Sequence, residues 1–127
     1  MRFTLKREER LKSKKIIAKL YEEGKSIKVF PLRMVYLQIE HTSNYPVQIG
    51  FSVPKRNFKR AFDRNKIKRL LRECYRKEKH TIYSESNKKF VFMISYLAKE
   101  DRGYFEIEMK MKKLLTNFIT EINKDEK

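Results

Sequence analysis

Apolar residues recur at the three- and four-residue spacing of an amphipathic helix in three stretches of the chain. The first covers residues 12–23, where Ser13 is a suitable N-cap and Gly24 stands where the helix is expected to stop. The second covers residues 63–79 and the third residues 104–123. The second stripe is the most regular, with apolar side chains at Ile67, Leu70, Leu71, Cys74 and Tyr75. We therefore predict three helices, each with one apolar face.

Between these helices, apolar residues run together or alternate with a period of two, as they do in strands. Residues 29–40 are rich in β-branched and aromatic side chains, and Pro31 marks the edge or start of a strand, or a break that yields a further strand. Residues 41–46 have the composition of a turn. Residues 47–53 alternate cleanly, which predicts a half-buried antiparallel strand with one polar face. Residues 90–96 are almost wholly apolar and predict a central strand.

The predicted order of elements is α-β-β-α-β-α, or α-β-β-β-α-β-α with the further strand. Helices segregated onto a small mixed sheet define the α+β class. With 127 residues, the chain is expected to form a single domain over residues 1–127, with about residues 1–5 and 124–127 frayed.

The charge of the chain is concentrated in two segments. There are 32 Lys and Arg against 16 Asp and Glu, a net charge of +16. Residues 1–28 carry +6 and residues 55–79 carry +9, whereas residues 29–54 are neutral. Such density favours an extended polyanion as the partner. The alternative is a solvated surface that serves solubility, which the concentration of the charge argues against.

Residue types for catalysis by the protein alone are missing or dispersed. The two histidines lie far apart, the three glycines are too scattered for a phosphate loop, and no predicted strand carries an inward acid pair. Cys74, the single cysteine, lies on the apolar arc of its helix and is expected in the core. We therefore expect no hydrolytic site in this chain.

The sequence also predicts a cytoplasmic location. The longest clear apolar run, residues 90–94, is too short to span a membrane, and the charged N-terminus lacks the apolar stretch of a signal peptide. A lone cysteine fits a reducing compartment.

The polar side of the second predicted helix forms a basic surface. Arg64, Lys68 and Arg72 follow one another at i, i+4, and Asn65, Arg69 and Arg76 form a neighbouring row. Glu73 follows Arg69 at i+4 and is placed to hold it. Folded RNA is recognised mainly by shape and backbone, and a surface two residues wide and three turns long suits that mode.

This region resembles the protein subunit of bacterial ribonuclease P. The resemblance rests on the pattern R-N-x-x-K-R-x-x-R-E from Arg64 to Glu73, after a strand that ends S-V-x-K from Ser52 to Lys55. Further matches are Lys55-Arg56, Ala61, Leu11-Lys12-Ser13, the L-Y-E-E-G-K-S run of residues 20–26, and Val35-Tyr36. The resemblance spans about residues 5–115.

The resemblance implies a fold like the second domain of ribosomal protein S5, with a left-handed β-α-β crossover between parallel strands. It also implies that the basic helix docks onto the catalytic RNA. The residues concerned here are Arg64, Asn65, Lys68, Arg69 and Arg72, to which the same helix face adds Arg76.

A second surface is implied between the first helix and the sheet, where the family binds the single-stranded 5′ leader of precursor tRNA. The matching positions are Ile17, Tyr21 and Tyr36, with Ser52, Lys55 and Arg56 at the rim. Tyrosine rings can stack on any unpaired base. The alternative for Tyr21 and Tyr36 is that they are ordinary core or interface tyrosines.

The resemblance further implies a chain without catalytic residues, which assists an RNA that carries the chemistry. Magnesium would be held mainly by the RNA subunit and the substrate. The expected partners are ribonuclease P RNA and precursor tRNA, with no membrane and no protein partner required. A structural ribosomal or RNA-assembly protein, and a nuclease that acts without RNA, are the alternatives.

Two positions depart from the family pattern. Ile17 stands where many members have an aromatic residue. Residues 57–60 replace a glycine-containing stretch and make this loop one residue longer, so the sequence leaves the conformation of the loop at residues 55–62 open.

Overall fold

Three helices and one four-stranded mixed sheet form the described part of the computed structural model, which comprises residues 9–39, 46–85 and 88–125. In chain order the elements are α1 (Lys14–Glu23), β1 (Lys25–Val29), β2 (Leu32–Gln38), β3 (Val47–Ser52), α2 (Ala61–Glu85), β4 (Phe90–Tyr96) and α3 (Tyr104–Asp125). The α+β prediction is confirmed. The predicted turn at residues 41–46 lies outside the described residues except for Pro46.

The strands are ordered β1-β2-β4-β3, so β4 is central, as its apolar composition predicted. β1 pairs with β2 and β2 with β4 in antiparallel fashion, whereas β3 runs parallel to β4. The prediction that residues 47–53 form an antiparallel strand is therefore wrong. Because α2 returns the chain to the end of the sheet at which β3 began, the next strand must run in the same direction.

The segment at residues 29–40 is broken at Pro31, which lies in the turn between β1 and β2. The further strand that the sequence left open is therefore present as β1, and it begins at Lys25, four residues before the predicted segment. β1 is an edge strand whose residues are mostly polar and exposed, so its start carries no apolar pattern from which it could be predicted.

α1 is bounded by the two residues that the sequence indicated. The Ser13 hydroxyl accepts a hydrogen bond from the amide of Ile16 at 3.3 Å, and the helix begins at Lys14. The amide of Gly24 donates to the carbonyl of Leu20 at 2.8 Å. A Cβ atom at Gly24 would lie 2.3 Å from that carbonyl oxygen and 2.9 Å from that of Tyr36, so glycine is required by close backbone contact.

α2 is longer than predicted at both ends. Its apolar stripe continues from Tyr75 to Ile82, which is fully buried. The intervening position on the buried face is Lys79, which is 8% exposed, and its ammonium donates to both carboxylate oxygens of Glu9, at 2.8 and 2.9 Å. A lysine at a core position interrupts the apolar period, and the predicted helix therefore ended at residue 79.

The two faces of the sheet carry separate apolar clusters. α2 and α3 cover one face, around Leu71, Phe92 and Phe118. α1 covers part of the other face with a smaller cluster, whose buried members are Leu11, Leu20, Val35, Val91 and Met93. Cys74 is fully buried in the larger cluster, as predicted, and burial raises the pKa of its thiol to about 12.

The chain ends are only partly described. α3 continues to Asp125, two residues beyond the prediction, while residues 1–8 and 126–127 lie outside the described residues. Residues 124 and 125, which were expected to be frayed, belong to α3. The expected fraying of residues 1–5, 126 and 127 falls outside the described residues. Within the described ranges, no helix combines the length and the apolar character needed to cross a membrane.

Candidate nucleic-acid interface

The loop that leads into α2 is fixed to the end of the sheet. The Pro54 carbonyl accepts hydrogen bonds from the amides of Asn57 and Phe58, at 3.1 and 3.3 Å. The Asn57 side-chain amide donates to the carbonyl of Leu97 at 3.3 Å, and the Phe58 ring packs 6.0 Å from that of Tyr96. The structure thus defines a conformation that the sequence left open.

Arg64 has a structural role in this loop. Its Nη1 atom donates to the carbonyl oxygens of Phe58 and Lys59, both at 2.8 Å. A guanidinium has five N–H donors, so the remaining ones can still meet an anion. Arg64 therefore joins the start of α2 to its preceding loop and is half-buried, which the residue pattern did not indicate.

The solvent side of α2 carries the predicted basic residues. Asn65, Arg69 and Arg72 are exposed and Lys68 is half-buried, while Ile67 on the opposite side is 1% exposed. We call the polar set Asn65, Lys68, Arg69 and Arg72 the α2 ridge. Arginine presents a planar fork that can meet a phosphate with two hydrogen bonds.

Arg76 extends this face less than predicted, because it binds Glu73. The Arg76 Nε atom donates to the Glu73 carboxylate at 3.2 Å, and a second guanidinium nitrogen contacts the other carboxylate oxygen. The Arg76 hydrogen bond lowers the pKa of Glu73, and the same bond raises the pKa of Arg76. The expected contact of Glu73 with Arg69 is therefore replaced by one with Arg76, a residue that is partly neutralised within the helix.

A row of polar residues crosses the sheet on the face that carries α1. The strand register aligns Lys28 with Arg33, Arg33 with Ser95, and Ser95 with Ser52. Because side chains alternate along a strand, Arg33 and Ser95 point to the same face as Val35 and Met93, which pack against α1. We call Lys28, Arg33, Ser95 and Ser52 the cross-sheet row; the two cations are exposed and the two serines half-exposed.

Three of the six residues expected in a leader cleft, Ile17, Tyr21 and Ser52, lie on this face. Ile17 and Tyr21 lie one turn apart on α1; Ile17 packs on the smaller cluster, and Tyr21 is 51% exposed. Ser52 belongs to the cross-sheet row. Lys55 and Arg56 are exposed in the turn that follows β3.

Tyr36 does not share this surface. It is 6% exposed, and its ring packs edge-on against Phe118 at 5.0 Å and Phe90 at 6.5 Å, beneath α3. The expectation that Tyr36 belongs to the cleft between the first helix and the sheet is therefore wrong. Neighbouring residues of a strand face opposite sides of the sheet, and Val35 is the residue that faces α1. Of the two alternatives, the structure places Tyr36 in the core.

Arg33, Ser95 and Lys28 were missed as members of a polar surface. The available signal was the polar residues at Arg33 and Ser95 within otherwise apolar strands. Only the register of β2 and β4 brings these two residues opposite each other.

The described residues do not fit a protein-bound metal centre. Within residues 9–39, 46–85 and 88–125, no group of three or more His, Cys, Asp or Glu side chains could hold a metal ion. We therefore assign no step to a metal held by this chain.

A basic ridge on one helix and a polar, cationic row on the opposite side of a small sheet define an α+β nucleic-acid-binding protein. The family model described as Ribonuclease P matches residues 5–119. The chain belongs to this family, which confirms the resemblance inferred from its residues.

The chain is similar to curated proteins over most of its length. The ribonuclease P protein component of Porphyromonas gingivalis is 36% identical over 117 residues, which cover 89% of this chain and 85% of that protein. That of Chlorobaculum tepidum is 31% identical over 129 residues, covering 89% and 84%. The role of the chain is thus that of the RNA-binding protein subunit of ribonuclease P, an enzyme that in general depends on metal ions.

Solved structures agree in fold. The RNase P protein of Staphylococcus aureus superposes with a TM-score of 0.65 at 21% identity, covering 85% of this chain and 93% of that one. The RNase P protein of Thermotoga maritima gives a TM-score of 0.59 at 23% identity, covering 87% and 94%.

Proposed function

We propose that this chain helps the catalytic RNA of ribonuclease P to remove the 5′ leader of precursor tRNA, using two surfaces. The α2 ridge docks onto the catalytic RNA, and the cross-sheet row with the adjacent α1 residues binds the single-stranded leader. The observation that carries the proposal is the position of these surfaces: α2 covers one face of the sheet and the cross-sheet row lies on the other. One domain can therefore contact two RNA strands at once.

The α2 ridge supports docking through its shape and charge. Arg69 and Arg72 are exposed, and Lys68 supplies a third cation on the same side of the helix. Each phosphate neutralised releases counterions, so the binding constant of such a surface depends steeply on salt. Arg64 contributes through the position of the loop as well as through its charge, and Arg76 contributes less because Glu73 neutralises it.

The cross-sheet row supports binding of a single strand. Single-stranded nucleic acids bind in cationic grooves with aromatic rings on which bases stack. Lys28 and Arg33 supply exposed cations, and Lys55 and Arg56 extend them beyond the end of β3. Tyr21 supplies an exposed ring, and Ile17 offers an aliphatic wall.

We further propose that catalysis belongs to the RNA. Magnesium ions held mainly by the RNA subunit and the substrate would activate the attacking water, and no residue of this chain would be catalytic. The protein would lower the repulsion between RNA strands and bind the leader, acting as one domain in the cytoplasm with no other protein partner required.

The test combines the purified chain with a bacterial ribonuclease P RNA and precursor tRNA at low magnesium concentration. We expect faster 5′ cleavage only when the RNA is present. Cleavage by the protein without RNA would instead support a nuclease of its own. An unchanged rate, together with binding to ribosomal RNA, would support the role of a ribosomal assembly protein.

A further inference from the structure

The N-terminal strap, which we define as residues 9–12, is held against the outer edge of β3. The Leu11 amide donates to the Ile49 carbonyl at 2.9 Å, and Arg10 forms a parallel bridge with Ile49. The Leu11 side chain is buried in the cluster beneath α1. The strap therefore occupies part of a sheet edge that would otherwise be open.

The other anchor of the strap is the buried ion pair of Glu9 with Lys79, 70 residues away on α2. Glu9 is fully buried, and the Lys79 side chain is 11% exposed. A buried ion pair is a weak source of stability, because both charges lose their hydration. It does select one arrangement, because any shift of the strap would leave a charge in the interior without its partner.

The strap and α2 face each other across a groove of about 230 Å³ whose floor is formed by Ile49, Gly50 and Phe51. Arg10 and Lys12 line it from the strap, and Lys68 and Arg72 line it from α2. Among the residues that the structure describes, none of these four cations has an acidic partner. Two elements thus present four positive charges to one opening.

We propose that this groove binds the phosphodiester backbone of RNA, with Arg10 and Lys12 as contact residues and the Glu9–Lys79 pair as the positioning device. The inference rests on the proposed function, and it adds a second wall to the α2 ridge. A convex helix contacts an RNA backbone from one side only, whereas a groove offers hydrogen-bond donors to each phosphate from both sides. The bound backbone is that of the catalytic RNA, because Lys68 and Arg72 belong to the α2 ridge that docks onto it.

The first experiment compares two double variants with the same loss of charge. Arg10→Gln with Lys12→Gln removes the strap cations; Lys110→Gln with Lys113→Gln removes two cations of α3 that do not line the groove. The binding constant of each for a bacterial ribonuclease P RNA is measured between about 50 and 200 mM salt. Each lost phosphate contact makes the slope of log K against log salt concentration shallower by about 0.9. We therefore expect this slope to be shallower by about two for the strap variant and unchanged for the control.

A second measurement identifies which RNA lies in the groove. In the assembled complex, affinities for precursor and mature tRNA are compared for the same variants. A loss in RNA assembly supports the assignment to the catalytic RNA, whereas a loss confined to precursor tRNA would overturn that assignment in favour of the leader. If the strap variant matches the control in both measurements, the groove proposal is overturned while the proposed function stands. If the unaltered chain neither binds RNA nor accelerates cleavage, both proposals are wrong.

The positioning pair is tested by exchange. Glu9→Gln should reproduce the loss of salt slope, and adding it to the strap variant should cause no further loss. The exchanged pair, Glu9→Lys with Lys79→Glu, restores opposite charges and should restore the slope. A thermal melt is recorded for each variant. If folded Glu9→Gln protein keeps the salt slope of the unaltered chain, the positioning role is contradicted. The same holds if the exchanged pair folds but does not restore the slope.

Discussion

Arg64 donates a hydrogen bond to the carbonyl oxygen of Phe58, six residues earlier in the chain, at 2.8 Å. This contact makes one residue of the basic helix responsible both for the shape of the loop and for part of the positive charge. Any loss of RNA binding in an Arg64 variant would therefore have two causes, which must be separated from each other.

We predict that Arg64→Ala lowers the free energy of unfolding by about 2 kcal/mol, because two carbonyls lose a charged donor. For a domain of this size the melting temperature should fall by about 8 °C, measured by circular dichroism. The control is Arg69→Ala, whose exposed side chain has no partner among the described residues; its stability should change by less than about 0.5 kcal/mol while RNA affinity falls. Equal melting temperatures for the two variants would contradict the structural role of Arg64.

The two tyrosines of the expected cleft should respond differently to substitution. Tyr36→Ala removes a buried ring and should lower the free energy of unfolding by about 3–5 kcal/mol, as measured by urea denaturation. At a temperature where it stays folded, it should not change the preference for precursor over mature tRNA. A selective loss of precursor affinity in folded Tyr36→Ala would show that this residue contacts the leader.

Tyr21→Ala should leave stability nearly unchanged and reduce the preference for precursor tRNA between about fivefold and one hundredfold, the range expected for one stacked base. Phe105→Ala is the matched control, since Phe105 is an exposed ring, 81% accessible, on α3, which packs on the other face of the sheet. Similar effects of both substitutions would indicate that the loss is not specific to the leader surface.

Arg33 provides a test of the cross-sheet row. Arg33→Gln should lower the salt dependence of leader binding by about 0.7, the contribution of one phosphate contact on a single strand. The measurement compares precursor and mature tRNA at several salt concentrations, with Lys113→Gln as a variant of equal charge. An unchanged slope would remove Arg33 from the leader surface.

The burial of the Cys74 thiol predicts how the stability of the protein depends on pH. Its pKa is raised by burial to about 12 from an ordinary value of 9.0, so the folded chain keeps the thiol proton where the unfolded chain loses it. The folded state therefore binds more protons between about pH 9 and 12, and this group makes the protein less stable as pH rises through that window. At pH 8, a thiol reagent should label Cys74 only after denaturation. Rapid labelling of the native protein would contradict its burial.

The sequence predicted those elements whose apolar period is uninterrupted. The limits of β4 and the first residue of α3 were predicted correctly, because the apolar pattern of each has a sharp boundary there. The C-terminal part of α2 was missed because Lys79 occupies a core position that only Glu9, distant in sequence, makes tolerable. Pairing across such a distance leaves no local signal.

The sequence indicated which kinds of residue form the candidate site, but it indicated less well where the fold places them. The exposed residues of the α2 ridge follow from helical spacing alone. The placement of Tyr36 depends on strand register, where a shift of one residue moves a side chain to the opposite face. The cross-sheet row depends on the pairing of β2 with β4, which the sequence did not specify.

The ion pair that anchors the N-terminal strap closes a loop of 70 residues. Closing a long loop has an entropic cost that must be met before its contacts form. The ridge needs only α2, whereas the groove needs the strap, β3 and α2 together. A growing or partly folded chain can thus present the ridge without the groove, and tight engagement of RNA becomes a property of the completely folded molecule.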